Sequence, residues 1–169
     1  MKRFAICLAA SSALALGACA KKPPEELPPA PVATTAPTPA PAVPQGPQPG
    51  SQAHFSNAMR GADTIYFDTD KYDIDSQDAA ALRQQAEYLL QYPSAGATVQ
   101  GHADERGTRE YNLALGERRA NAAKNYLVSL GVSDSRLRTV SYGEERPVAL
   151  GSDEAAWAQN RRAVTVMID

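Results

Sequence analysis

Eleven of the thirteen prolines in this 169-residue chain fall between positions 23 and 49. That clustering limits what the chain can fold into more than any other feature. Proline lacks an amide hydrogen and holds φ near about −65°, so a stretch this rich in it can neither complete a β-ladder nor run as a helix. The prolines are interleaved mostly with alanine and threonine, which leaves little apolar surface to bury. Lys21 to about Gln52 therefore reads as a passive tether in extended polyproline II. At about 3.1 Å per residue, roughly 30 residues would reach about 90 Å. Whatever folds must lie on the C-terminal side.

The first 19 residues read as an export signal. Lys2 and Arg3 form a charged start, Phe4 to Leu16 a short apolar run, and Leu16-Gly17-Ala18 the small residues a signal peptidase requires. The run is shorter than the roughly 20 apolar residues of a membrane-spanning helix. Cys19 directly after Leu-Gly-Ala resembles the bacterial lipobox. That resemblance implies a signal peptide at 1–18 and a lipid-modified Cys19, whose acyl chains would anchor the mature chain at about 0.8 kcal/mol per buried methylene. Ala20 stands where lipoproteins kept in the inner membrane often carry aspartate, so the resemblance also implies an outer-membrane location with the domain facing the periplasm. An ordinary secretory leader cut near Ala20 is the competing reading. The lipidated N-terminus and linker are placed at 19–60, and the folded domain at 61–169.

The two cysteines, Cys7 and Cys19, both lie in this leader region, so no disulfide framework can hold the domain. The formal net charge is −2, and losing Lys2 and Arg3 with the leader would leave −4. A nucleic-acid binder would need a basic excess on one face, so nucleic acid is excluded as a partner.

From about Gly61, strand and helix signals alternate. Thr64 to Phe67 is β-branched and aromatic, as in a strand. Asp75 or Ser76 can cap a helix that carries Leu82, Ala86, Leu89 and Leu90 on one side and stops at Pro93. Thr98 to Ala103 reads as a second strand. A long helix from Arg109 to Leu130 follows, with Gly131 at its C-terminal end. Its Leu113, Gly116, Ala120, Ala123, Leu127 and Leu130 form one continuous stripe. Leu137 to Tyr142 is a third strand, Glu154 to Gln159 a short helix, and Ala163 to Ile168 a final strand with Val164, Val166 and Ile168 facing one way. The expected fold is an α/β sandwich, with a small mixed sheet and helices packed on one face.

The charged run from Gly101 to Gly107 lies where a strand ends, the usual place for ligand sites of α/β sheets. Asn112, Leu115 and Arg119 share one face of the long helix, about 80° round from the apolar stripe. A guanidinium at such an edge suits a carboxylate, and Asp104 nearby could accept from an ammonium, a pattern that fits a zwitterionic ligand. Asp104 and Arg119 could equally pair with each other or cap helices. Enzyme chemistry has little to build on. His54 and His102 are the only histidines, too few for a His-rich metal site. No activated serine or cysteine motif is present, and Asp104 and Glu105 are chain neighbours rather than an arranged acid–base pair. Neither catalysis nor a cofactor is expected.

The run from Gly101 to Ala120, with Tyr66 to Tyr72 before it and Val140 to Pro147 and Asn160 to Val164 after it, resembles the OmpA-like peptidoglycan-binding domains. The resemblance spans about 64 to 169. It implies non-covalent binding of the diaminopimelate of a peptidoglycan stem peptide, with Asp104 meeting its ammonium and Arg119 its carboxylate. It further implies that Asp70 helps close the pocket and that Thr108, Asn112 and Leu115 line it. Thr69 departs from the aromatic residue that some relatives carry, and Asn160 and Arg161 read as structural, Arg161 bracing Asp104. For lipid-anchored members the family implies a place in the Tol system, with TolB and other Tol proteins as partners and roles in outer-membrane integrity and division. Two alternatives stay open: a docking module for Tol proteins, and a relative outside that system.

Overall fold

The computed structural model describes residues 46–168. The expected signal peptide at 1–18, Cys19 and most of the proline-rich tether lie outside the described residues.

Four strands form one mixed sheet: β1 (Thr64–Tyr66), β2 (Gly96–His102), β3 (Leu137–Gly143) and β4 (Arg162–Ile168). Their order is β1-β4-β2-β3. β4 runs antiparallel to both β1 and β2, whereas β2 and β3 are parallel. That parallel pair requires a crossover, which α3 (Arg109–Ser129) supplies. The remaining helices are α1 (Gln52–Met59), α2 (Ser76–Gln91) and α4 (Glu154–Asn160), with a 3₁₀ turn at Asp134–Arg136.

Local sequence explains most boundaries. Asp75 caps α2 by accepting from the amide of Asp78, and Thr108 and Asp153 cap α3 and α4 in the same way. At the far end of α3, Gly131 has φ +101°. The amides of Gly131 and Val132 donate to the carbonyls of Val128 and Leu127, the Schellman closure that glycine permits.

The core lies between the sheet and α1, α2 and α3, where Phe55, Ile65, Leu82, Leu89, Val99, Leu127 and Val132 are buried together. The domain therefore begins earlier than the expected start at Gly61. Phe55 and Met59 of α1 are core residues, and the amide of Met167 on β4 donates to Gln52 Oε1 at 2.7 Å. An eight-residue amphipathic turn beside a proline-rich stretch gives a weak periodic signal.

One other expectation shifts, and the expected common face of Val164, Val166 and Ile168 is the one turned away from the core. Leu90 is 49% exposed, and the inward face of α2 is completed by Gln85 and Tyr88. On β4 the core face is Ala163, Thr165 and Met167, while Val164, Val166 and Ile168 share the less buried face. A buried hydrogen bond permits a threonine inward: Thr165 Oγ1 donates to Gln85 Oε1 at 2.7 Å, and Gln85 Nε2 donates to the Ala62 carbonyl at 2.6 Å.

α3 lies very close to β2. A Cβ added at Gly101 would overlap the carbonyl of Gly116, so the two glycines allow near backbone contact between helix and sheet. Gly116, Ala120, Ala123 and Leu127 of the expected stripe are buried, with Leu113 and Leu130 half-buried at its ends. This close seat brings the next face of α3, with Asn112, Leu115 and Arg119, up to the carboxyl end of β2.

Candidate functional site

A pocket of about 300 Å³ opens at that strand end. Its walls come from the loop after β1 (Thr69, Asp70), the loop after β2 (Ala103, Asp104, Arg106, Gly107) and the first turns of α3 (Tyr111, Asn112, Leu115, Arg119). Five of the six expected pocket residues meet there. Thr108 does not line it; its hydroxyl accepts the Tyr111 amide as the N-cap of α3.

The helix face carrying Arg119 is more buried than its angular position suggests. Arg119 is 0% exposed and Asn112 2%, because the loop after β1 folds over Arg119 and the loops after β2 and β3 close on Asn112. Arg119 donates to three backbone carbonyls: Nε to Lys71 at 2.9 Å, Nη1 to His102 at 2.8 Å and Nη2 to Asp68 at 3.0 Å. A guanidinium has five N–H donors, so two remain. Burial, with Arg161 adding repulsion, pushes its pKa down to about 10, against the pull of Asp104 and Asp70. It stays charged at neutral pH. Arg119 thus welds the loop to the sheet end while placing a positive charge in the pocket wall.

Asp104 is buried and is held by two other arginines, not by Arg119. Arg106 grips it as a fork, Nη2 to Oδ2 at 2.7 Å and Nε to Oδ1 at 3.1 Å, and the Arg106 amide adds a bond to Oδ1 at 3.1 Å. Arg161 stands behind, with Nη1 3.4 Å from Oδ2. Burial alone would raise the carboxyl pKa. The hydrogen bonds and charge of Arg106, then Arg161, outweigh it and hold Asp104 below the ordinary carboxylate range.

Arg161 also donates to the Phe67 carbonyl at 2.9 Å and to Glu154 Oε1 at 2.7 Å. Asn160 accepts from the amides of Val148 and Ala149 and donates to the Ala149 carbonyl. Both therefore build the frame of the site.

Asp70 sits at the mouth with φ +58°, accepting from the Tyr111 hydroxyl at 3.2 Å. Asn112 Nδ2 donates to the Arg106 carbonyl at 3.1 Å and to Glu144 Oε2. Leu115 forms the apolar floor. Arg106 and Tyr111 escaped the sequence reading. For Arg106 the available signal was its place two residues after Asp104, which lets a side chain fold back onto the carboxylate. For Tyr111 it was an aromatic residue in the first turn of the helix that bears Asn112. Among the described residues, no group of three or more His, Cys, Asp or Glu could hold a metal ion, and no helix is long and apolar enough to cross a membrane.

Fold and site together define an α/β binding domain with a two-signed polar pocket at the carboxyl end of a mixed sheet. The sequence profile of the OmpA family matches residues 66–161, and the chain belongs to that family. Its relatives include the peptidoglycan-associated lipoproteins of Rhizobium meliloti, 56% identical over 119 residues, covering 70% of this chain and 66% of that protein, and of Mesorhizobium japonicum, 55% identical, covering 70% of each. The chain thus spans just under two thirds of the length of the first of these. The crystal structure of the peptidoglycan-associated lipoprotein from Burkholderia pseudomallei is similar at 50% identity and a TM-score of 0.64, covering 67% of this chain and 96% of that one. The C-terminal domain of Helicobacter pylori MotB, 20% identical with a TM-score of 0.58 over 63% of this chain and 84% of its own, shares the fold.

Proposed function

We propose that this chain is an outer-membrane lipoprotein, anchored through acylated Cys19, that binds peptidoglycan without covalent chemistry and fastens the membrane to the wall as part of the Tol-Pal system. The ligand is the diaminopimelate of the stem peptide. One observation carries this reading: a carboxylate at 104 and a guanidinium at 119 contribute to the walls of a single pocket with Asp70, Asn112 and Leu115. A residue with an ammonium and a carboxylate on one carbon matches those two charges. The names and high identity of the relatives support it.

Single grips need not be strong, since a charge-assisted hydrogen bond nets about 1.5–3 kcal/mol. The wall repeats its stem peptide, and a lipid-tethered domain meets it at high effective concentration, so many reversible contacts suffice. Reversibility also suits exchange with TolB and other Tol proteins, and the inward movement of the outer membrane at division.

The test is retention of the full mature chain, in detergent, on purified sacculi. Asp104→Ala and Arg119→Ala should each cut retention about 10-fold or more, from the loss of one charge-assisted contact. Melting curves separate loss of binding from loss of fold, and Asp104→Asn keeps the shape where Arg119→Ala unfolds. Wild-type retention by Asp104→Asn refutes the reading. For the anchor, the intact mass of the mature protein should carry a diacylglyceryl and an acyl group on Cys19.

A further inference from the structure

The acceptor assigned to the ligand's ammonium already holds a cation of the protein's own. Arg106 covers both oxygens of Asp104, with Nη2 at 2.7 Å and Nε at 3.1 Å, and its Nη2 also reaches Thr69 Oγ1 at 3.3 Å. The same guanidinium has a second seat within reach. Its Cζ lies 4.2 Å from the centre of the Trp157 ring, and Nη1 is 4.0 Å from Glu154 Oε2. Arg106 is partly exposed, unlike Arg119 and Arg161, which leaves its outer torsions freer to rotate than theirs.

We propose that Arg106 is a built-in stand-in for the ligand's ammonium, and that the site selects ligands able to displace it from Asp104 toward Glu154. This rests on Asp104 being the ammonium acceptor. Arg161 stays 3.4 Å from Asp104 and 2.7 Å from Glu154 Oε1, bridging the two seats. The guanidinium can therefore cross between carboxylates while remaining over Trp157, where an aromatic face favours it. An arriving ammonium replaces one ion pair on Asp104 with another, and the displaced charge finds Glu154. A ligand that brings only a carboxylate leaves Arg106 where it is and fills half the pocket. The arrangement discriminates by exchange: a buried carboxylate is never left unpaired, and peptides without the free amine are turned away.

Affinity is then reduced by the fraction of molecules in which Arg106 has left Asp104, so removing the competitor should strengthen binding. The experiment is calorimetric titration of the full mature chain in detergent with a soluble stem tripeptide ending in diaminopimelate, and with its side-chain N-acetylated analogue. Arg106→Gln should bind the tripeptide roughly 10-fold tighter than wild type. Arg106→Lys, which keeps the charge but loses the fork, should fall between them and stands in should Arg106→Gln fail to fold. Glu154→Gln should bind roughly 3-fold more weakly, its displaced guanidinium having lost a charged seat. The acetylated analogue should bind none of them measurably better than wild type. Tripeptide affinity at or below wild type in Arg106→Gln overturns the proposal by making Arg106 a ligand contact or a bystander, and wild-type affinity in Glu154→Gln overturns the second seat. Asp104→Asn separates the two levels. If it binds like wild type the underlying site is wrong; if it loses binding while Arg106→Gln and Arg106→Lys match wild type, only the stand-in is wrong.

Discussion

His102 offers a measurement that isolates one group. It is 2% exposed, on the end of β2, with its ring 5.5 Å from that of Tyr142 on β3 and its Nδ1 buried without a hydrogen-bond partner among the described residues. Burial first, and then the positive charges of Arg162 on β4 and Arg146 in the loop after β3, push its pKa down to about 4 from 6.5. Above pH 6.5 the ring is neutral in the folded and unfolded chain alike. Between there and about pH 4 the unfolded chain takes up a proton that the folded one refuses, so stability falls as pH falls. Below about pH 4 both states are protonated and the loss levels off. Linkage over that window makes the cost about 2 kcal/mol at about pH 5. The assay is urea denaturation from about pH 7.5 to about pH 5, comparing wild type with His102→Gln, since carboxylates elsewhere titrate identically in both and cancel. Wild type should lose about 2 kcal/mol more than the variant across that range. Parallel pH profiles would mean that the ring accepts a proton in place, and the reasoning from its burial would fail.

Two further outcomes follow from packing. Phe55→Ala should destabilise the domain by about 3–5 kcal/mol, measured by chemical denaturation; a change under about 1 kcal/mol would mean that α1 does not belong to the cooperative core. Gly101→Ala should cost about 3 kcal/mol or more and weaken wall retention together with stability, because the new methyl meets the Gly116 carbonyl and must lift α3 with Asn112 and Arg119. Wild-type stability and retention would show that the helix has room to move.

Arg161 connects the frame to the charges. It ties the end of α4 to Phe67 after β1, to Asp104 after β2 and to Glu154. Neither Arg119 nor Arg161 has its charge offset by a single dedicated acid. Arg119 is held by three backbone carbonyls and Arg161 by one carbonyl and two carboxylates, which keeps both guanidiniums fixed in the absence of ligand and limits the reorganisation that binding would require.

The periodic runs alone determined the sheet strands, α2, α3 and α4, and the glycine that closes α3, because those features depend on residues three to seven apart. A run of alternating or heptad-like apolar residues, a capping Asp or Thr and a glycine at C′ act within one or two turns of chain. Asp104 at a strand end and Arg119 on the face next to the apolar stripe could likewise be read from position. What the chain order could not reveal was which partner each charge takes. Arg161 behind Asp104 and three carbonyls around Arg119 depend on segments up to 57 residues apart, and α1 enters the core through β4, 115 residues away at Gln52 and Met167, and through the Phe55–Tyr88 ring contact with α2. Close packing of α3 on β2 set those meetings. A buried charge must find whatever donors and acceptors the packed backbone leaves within about 3 Å, and that geometry exists only once the layers have closed.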